Sequence, residues 1–585
     1  MSILDYRNLN TLWASVIVET LHRLGLTTAI ICPGSRSTPL TVAFARHASI
    51  EAIPILDERS AAFFALGCAK RTHQPVAIVC TSGTAGANFL PAIIEAKESH
   101  VPLMIFTADR PPEMRACASG QTIDQQKLYG AFVNTYGEMA VPEVALLGYA
   151  RQTMVHSWTQ ALSPNPGPIH LNCPFRDPLA PVSVPLTQQI DESSFFAGIQ
   201  PPWLPQRTQA TIPETIWQRW CQTQRGLIVA GSAQPADPVA YCYAVVTLSK
   251  ALGWPVLADS LSPLRNYAPL NPYLVSNYDT LLRRDPELLT SELNPEAVIQ
   301  LGPLPTSKVL RQWLQQTQPQ TYQVSPYSQN IDPLHGKTQC LGVAIEDLAD
   351  CLVAKVNHSS DQAIVSPYCS TWLGYEYTIR KTIDQVLQPM QKPFEGKISW
   401  LLSQYLPENT PLVVANSMPI RDLESFWQPN DRHICPYFSR GANGIDGTLS
   451  TAMGIAHHSQ NSLLLTGDLA FLHDTNGLLN ARYLSGSLTV ILINNQGGGI
   501  FEMLPISNFD PLFEKYFVTP QTVNIPDLCH AYGVQHTLID TWDQLTQMIK
   551  DLALPKETAL RVLEFRSDRK ADAHWRKTQI KQLAG

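Results

Sequence analysis

Asp468 and Asn495 are the residues whose types and spacing point most directly to chemistry. Asp468 closes the apolar run 462–468, and the Asn494-Asn495 pair closes the next run, 27 residues on. That interval holds one helix and one strand, so in a parallel sheet the two side chains arrive at one edge as neighbours. A carboxylate, an amide oxygen and a backbone carbonyl suit a hard octahedral cation such as Mg²⁺, which keeps water and phosphate oxygens as its other ligands. Gly497-Gly498-Gly499 follows at once, giving the backbone freedom to approach a phosphate and to offer N–H groups. The carbonyl of Gly497 is the expected third ligand. The plainer reading is that Asp468 caps the next helix and the Asn pair sits in a turn.

The elements that must carry these residues are legible as apolar runs between turns. Residues 10–26 read as an amphipathic helix and 28–32 as a buried strand ending on Pro33-Gly34-Ser35. The runs 76–80 and 103–106 repeat the pattern, the first entering a Gly-rich turn with a helix from near Ala87. A proline-rich, polar stretch at 181–213, containing Gln200-Pro-Pro-Trp-Leu-Pro205, reads as a linker. Beyond it, the runs 226–231, 254–259 and 297–302 form a second segment. After a less regular stretch at 325–395, the runs 411–416, 462–468, 488–495 and 559–565 form a third. Strands alternating with helices imply parallel sheets wound on both faces. Three domains, 1–182, 183–360 and 361–585, suit a 585-residue chain too long for one core. Ligands of such sheets sit beyond the strands' carboxyl ends.

Composition excludes several classes. With 44% hydrophobic and 16% charged residues and a mean hydropathy of −0.07, the chain reads as globular rather than disordered. A net charge of −7 without any run of five Lys or Arg argues against a nucleic-acid partner or an anionic membrane surface. Any anionic ligand must therefore be caught locally. Twelve cysteines without a C-x-x-C pair fit buried thiols in a reducing compartment better than a disulfide or zinc framework. The first residues show no secretory pattern and no stretch of 18 apolar residues occurs, so a cytoplasmic protein without membrane insertion is expected. P-loop, dinucleotide, zincin and serine-hydrolase motifs are absent.

The stretch from Gly467-Asp468 through Asp474-Thr-Asn476 to Asn495 resembles the signature of thiamine-diphosphate-dependent enzymes. The resemblance implies that Asp468, Asn495 and Gly497 hold Mg²⁺ (or Mn²⁺) and, through it, the diphosphate, with Ser417, Leu469, Gly498, Ile500 and Phe501 beside the cofactor. Ile55-Leu-Asp57-Glu58-Arg59, after a predicted short strand and before a helix at 61–70, resembles the family's second element. There Glu58 shares a proton with the pyrimidine ring, so that the cofactor's own amino group can deprotonate the reactive carbon. A Glu in an apolar pocket has its pKa raised toward neutrality, where such a proton can move. Alone, Asp57 and Glu58 would be first-turn acids favoured by the helix dipole. Ile445, in Gly441-Ala-Asn-Gly-Ile445-Asp-Gly, matches the wedge that bends the cofactor, a core isoleucine being the alternative. The implied fold is α/β, with three doubly wound parallel-sheet domains of the thiamine-diphosphate-binding kind: pyrimidine-binding, central and diphosphate-binding. The two ends of the cofactor are held by different subunits in that family, so a homodimer with active sites between subunits, or a dimer of dimers, is implied.

Pro33-Gly-Ser35-Arg36-Ser, Thr107-Ala-Asp-Arg110-Pro-Pro and Asn416-Ser417-Met-Pro-Ile-Arg421 with Ser439-Arg440-Gly resemble one branch of that family. Its members decarboxylate 2-oxoglutarate and add the resulting four-carbon unit to isochorismate in menaquinone and phylloquinone biosynthesis. Both substrates are dicarboxylates, and each hydrogen bond to a charged group is worth roughly 1.5–3 kcal/mol. The resemblance places Ser417 and Arg421 on the distal carboxylate of 2-oxoglutarate and Arg440 near the reacting carbons. Arg36, Arg110, Gln121 and Lys308 surround isochorismate, Ser35 contacts the adduct, and Ile500, Phe501 and Leu504 line the thiazolium side. Surface placement is the ordinary fate of arginine. Two departures stand out: Gly120 where some members have Asn, and Val309 where a second basic residue follows Lys308, with Arg311 as a compensating cation. The alternatives are another thiamine enzyme, an acetohydroxyacid synthase or benzoylformate-type decarboxylase, and a non-catalytic α/β nucleotide-binding protein. The first would not need Arg36, Arg421 and Arg440 together; the second should have lost Glu58 or the Asp468 and Asn495 pair.

Overall fold

The computed structural model describes residues 3–184, 189–202, 210–284, 292–358, 365–554 and 559–583. The expected linker at 181–213 lies partly outside them. Among the described residues, three six-stranded sheets form the framework. The first holds β1 (Thr28–Ile31), β2 (Glu51–Pro54), β3 (Val76–Cys80), β4 (Leu103–Asp109), β5 (Thr135–Glu138) and β6 (Pro168–Pro174), in spatial order β2-β1-β3-β4-β6-β5. The second holds β7 (Gly226–Ala230), β8 (Val256–Ala258), β9 (Leu274–Val275), β10 (Ala297–Leu301), β11 (Gln320–Val324) and β12 (Lys337–Leu341), in order β12-β11-β10-β7-β8-β9. The third holds β13 (Pro411–Val414), β14 (Cys435–Tyr437), β15 (Ser462–Gly467), β16 (Leu488–Asn494), β17 (Gln535–Ile539) and β18 (Leu560–Arg566), in order β14-β13-β15-β16-β18-β17.

The first and third sheets are wound identically. Each reverses direction between its first and third strands, β1 and β3 in one and β13 and β15 in the other, opening a crevice at the strands' carboxyl ends. Pairing is parallel, for example Ile30 opposite Ile78 and Phe106 opposite Leu171. Central strands β3, β4 and β6 are buried along their whole length, the pattern of strands covered by helices on both faces. The expected runs at 76–80, 226–231, 297–302, 462–468 and 488–495 all coincide with strands, whereas β4 runs three residues beyond the expected 106.

One expectation fails: 325–395 is not irregular. It contains β12 and the 21-residue helix Pro367–Leu387, started by Ser366, whose hydroxyl accepts the Cys369 N–H, with proline in the first turn.

Two compact units result. One comprises Met1–Leu204, Ser439–Gln460 and Ala470–Leu488, and the other Pro205–Phe438, Asn461–Leu469 and Thr489–Gly585. The core of the first is built on Trp13, Ile17, Phe44, Phe106 and Trp158. In the second, separate clusters cover the two faces of the middle sheet, one around Leu227, Trp313 and Trp372, the other around Trp220, Ile228 and Tyr322. Among the described residues no helix is long and apolar enough to cross a membrane, and all twelve cysteines are free.

Within the first unit, the helices Glu58–Thr72 and Thr448–Ala456 cross at backbone contact. A Cβ on Gly67 would lie 2.1 Å from the Thr451 carbonyl oxygen, and one on Gly454 would lie 2.0 Å from that of Phe64. Backbone cannot move aside as a side chain can. Gly454→Ala is therefore expected to destabilise the protein by about 2–3 kcal/mol, the upper part of the overpacking range. Denaturant unfolding checks this, and an unchanged midpoint would contradict the crossing.

Candidate active site

The third sheet delivers Asp468 at the end of β15 and Asn495 at the end of the adjacent β16. Both are buried, at 4% and 7% exposure. Asp468 Oδ1 accepts the Leu469 N–H at 2.9 Å and Oδ2 accepts the Gly497 N–H at 2.8 Å. Burial pushes its carboxyl up to about 6 against those two donors, and the nearby Glu395 carboxylate adds to the rise. Asn495 donates from Nδ2 to Glu395 Oε1 at 2.7 Å, while its Oδ1 is buried with no hydrogen-bond partner among the described residues. A buried carboxylate beside an orphaned amide oxygen is an all-oxygen donor set for a hard divalent cation. The residues present therefore fit the metal.

The glycine turn corrects one expectation. Gly497 donates to Asp468, Gly498 to the Val518 carbonyl at 2.8 Å and Gly499 to the Gly497 carbonyl at 2.9 Å. The three N–H groups thus have protein acceptors, in the turn or packed against it, rather than being offered to phosphate. What the turn needs from glycine is space and backbone freedom: Gly497 has φ 132, and a Cβ there would meet the Val518 oxygen at 2.4 Å. Ile500 and Phe501 follow half-buried, whereas Leu504 is 43% exposed.

In the first unit, Glu58 opens the helix Glu58–Thr72 directly after β2. The neighbouring Asp57 does the capping, accepting the Ser60 N–H at 3.0 Å and the Asn476 Nδ2 group at 2.6 Å. Glu58 is half-buried, and its carboxyl makes no hydrogen bond among the described residues. The two acids, indistinguishable by type, thus have different occupations. Sequence reasoning quoted Asn476 within the signature but gave it no task; its bond to Asp57 holds the helix start that presents Glu58.

At the crevice between β1 and β3, Ser35 is exposed and Arg36 is 6% exposed. Arg36 donates to the Phe175 carbonyl at 2.9 Å, and its Nε has no partner among the described residues. Burial, then the charge of Arg110, holds Arg36 below the ordinary guanidinium value. Two cations sharing one corner invite an anion. Arg110 also donates through Nε and Nη2 to the Gly120 carbonyl, and a Cβ at Gly120 would meet nothing within 4 Å, so glycine is not sterically required there. Gln121, with φ 56, donates to the Ser82 carbonyl at 3.0 Å.

Ser417 and Arg421 are brought together: Ser417, in a strained backbone conformation (φ 78, ψ −129), precedes the helix Met418–Phe426, and Arg421 donates to its carbonyl at 2.6 Å. Arg440 and Ile445 lie half-buried in one loop, anchored where Glu95 accepts the Gly441 and Ala442 N–H groups. Lys308 is the exposed first residue of the helix Lys308–Thr317, an end whose dipole disfavours a cation. Arg311 turns back onto the Pro305 carbonyl, so its side chain is occupied rather than standing in for a basic residue at 309.

Glu51, His457 and His458 also converge, with ligand atoms within 4.8 Å. His457 Nδ1 accepts the Ser485 N–H at 3.4 Å, which leaves the ring proton on Nε2, facing Glu51 at 3.1 Å. The group reads as a hydrogen-bonded clasp.

Known proteins resemble this chain along nearly its whole length. Residues 13–128 match the family described as thiamine pyrophosphate enzyme, N-terminal TPP binding domain. Residues 195–414 match the middle domain of thiamine pyrophosphate enzymes, and 423–565 their C-terminal TPP binding domain. A 2-succinyl-5-enolpyruvyl-6-hydroxy-3-cyclohexene-1-carboxylate synthase of Gloeothece citriformis is 56% identical over 99% of both chains. Its counterpart in Trichormus variabilis is 55% identical over 99% of this chain and 98% of that one. The crystal structure of benzoylformate decarboxylase from Polynucleobacter necessarius superimposes with a TM-score of 0.68 at 17% identity, covering 95% of this chain and 98% of that one, a likeness of fold.

Proposed function

The chain belongs to the thiamine pyrophosphate enzymes and, among them, to the 2-succinyl-5-enolpyruvyl-6-hydroxy-3-cyclohexene-1-carboxylate synthases; from that premise we propose that it decarboxylates 2-oxoglutarate and joins the remaining four carbons to isochorismate. The observation that carries the site assignment is the buried Asp468 carboxylate beside the orphaned Asn495 oxygen. Thiamine diphosphate, when bound, supplies the carbon nucleophile that both bond-breaking and bond-making need. Asp468 and Asn495, with the Gly497 carbonyl, would hold Mg²⁺ or Mn²⁺ against its diphosphate, with Leu469 and Gly498 alongside. Glu58 would hold and return a proton at the pyrimidine ring, and Ile445 would pack against the cofactor as its wedge.

Ser417 and Arg421 take the distal carboxylate of 2-oxoglutarate, Arg440 stands by the reacting carbons, and Arg36, Arg110, Gln121 and Lys308 receive isochorismate, with Ser35 at the new bond. Ile500, Phe501 and Leu504 keep water from the reacting end. The half-buried, unbonded Glu58 carboxyl supports a homodimer whose sites are completed between copies, or a dimer of dimers. Domain limits at 182/183 and 360/361 and a cytoplasmic location, supported by the free cysteines, belong to the same proposal.

Purified protein with thiamine diphosphate and Mg²⁺ is expected to consume isochorismate, followed by loss of its absorbance, only when 2-oxoglutarate is present. Arg421→Ala is expected to raise the KM for 2-oxoglutarate about ten- to a hundredfold and leave that for isochorismate nearly unchanged. Turnover of pyruvate or benzoylformate with 2-oxoglutarate inert would preserve the thiamine chemistry and overturn the substrate assignment.

A further inference from the structure

We propose that Glu395, 100 residues from Asn495 in sequence, is a positioning residue of the metal site, and that its task is to fix which end of the Asn495 amide faces the cation. The inference rests on the metal and thiamine diphosphate reading above. An amide's oxygen and nitrogen are nearly equal in size, so packing alone does not choose between its two orientations, and the wrong one turns an NH₂ group toward a cation. The choice must come from a hydrogen-bond partner that accepts only. An ionised carboxylate is such a partner, and Glu395 Oε1 receives Asn495 Nδ2 at 2.7 Å. The Asn495 oxygen is thereby turned to the opposite side, where it is buried without a partner among the described residues.

Glu395 is itself held on several sides. It is 2% exposed and begins the helix Glu395–Tyr405. Its backbone N–H donates to Asp572 Oδ2 at 3.0 Å, and its Oε1 also accepts the Ser567 hydroxyl at 2.9 Å. The next residue, Gly396, sits where a Cβ would lie 2.4 Å from the Phe426 ring, so this helix start packs closely on the helix Met418–Phe426. Arg576 stands 4.0 Å from Glu395 Oε2 and also pairs with Asp422 on that second helix. A carboxylate fixed at backbone and side chain, with a guanidinium offsetting its charge, gives Asn495 one stable orientation before any ligand arrives. Partners behind a metal ligand commonly matter ten- to a hundredfold in metal affinity.

The test is the Kd for Mg²⁺, measured by titration calorimetry on the full chain at fixed thiamine diphosphate, alongside the metal-free unfolding midpoint. Glu395→Ala is expected to weaken Mg²⁺ about ten- to a hundredfold. Adding Asn495→Asp is expected to restore most of that loss, because a carboxylate presents an oxygen whichever way it turns. The comparison is with Asn495→Asp alone, because the added charge strengthens cation binding by itself; a merely structural role for Glu395 would lower the affinity in both backgrounds alike. Glu395→Gln keeps the side-chain volume but can turn an NH₂ group as readily as an oxygen toward Asn495, so it no longer chooses between the two amide orientations and is expected to weaken Mg²⁺ severalfold, a loss that Asn495→Asp also restores.

Unchanged Mg²⁺ affinity in Glu395→Ala, or a double variant no better than the single one, would overturn the proposal. So would wild-type Mg²⁺ affinity in Glu395→Gln, since a partner that donates as readily as it accepts would then serve as well as a carboxylate; this arm stands even if Glu395→Ala does not fold. Failure of the underlying metal assignment would show differently, as wild-type protein that does not bind Mg²⁺.

Discussion

Glu58→Gln is expected to bind thiamine diphosphate nearly as wild type does and to turn over about 10²–10⁴-fold more slowly, the range a positioned proton-transfer group contributes. The side chains match in size, and glutamine can still hydrogen-bond a ring nitrogen. It cannot give up or take a proton near neutrality. The structure sharpens the expectation by separating Glu58 from Asp57: the latter spends its oxygens on Ser60 and Asn476, whereas the former makes no hydrogen bond among the described residues. Asp57→Asn should therefore affect stability more than turnover. Cofactor binding by fluorescence titration and exchange of the thiazolium C2 proton by NMR separate binding from activation. A wild-type exchange rate in Glu58→Gln would remove Glu58 from the chemistry.

Asp468→Ala is expected to weaken Mg²⁺ and thiamine diphosphate together by at least about a hundredfold, more than changes behind a ligand usually cost. The substitution takes away the only anionic member of the proposed ligand set and leaves the Leu469 and Gly497 N–H groups without their acceptor. The paired loss is the informative part, because the diphosphate is held through the cation. Calorimetric titration of each ligand in the presence of the other measures it. Loss of Mg²⁺ affinity with intact thiamine diphosphate affinity would place the diphosphate on other groups.

How much of this was legible in the sequence follows from burial. Strands covered on both faces, such as β3, β4 and β16, are continuous apolar runs and declare themselves. Edge strands do not: β12, Lys-Thr-Gln-Cys-Leu, is mostly exposed, and β14 has three residues. The helix Pro367–Leu387 was obscured because its buried face, Tyr368, Trp372, Ile379, Ile383 and Leu387, is interleaved with Thr, Arg and Lys that dilute the apolar signal. Asp468 and Asn495 were legible because strand ends fix their neighbourhood. Glu395 was not, since nothing local marks an acid at a helix start as the partner of an amide 100 residues away.

The division of the chain into two interleaved units also bears on how the protein is made. The unit that begins at the N-terminus is completed only by Ser439–Gln460 and Ala470–Leu488. While the ribosome is still adding the residues after Leu204, the groove on the helix Glu58–Thr72 that receives Gly454 waits unfilled. At 5–20 residues per second, that wait lasts roughly a quarter of a minute to a minute. The first 200 residues therefore lack part of their packing as they emerge, and a fragment cut at the end of that stretch lacks the helix that packs on Gly67. Vectorial synthesis, so favourable to proteins whose domains follow one another in sequence, here leaves the first unit dependent on chain made long after it.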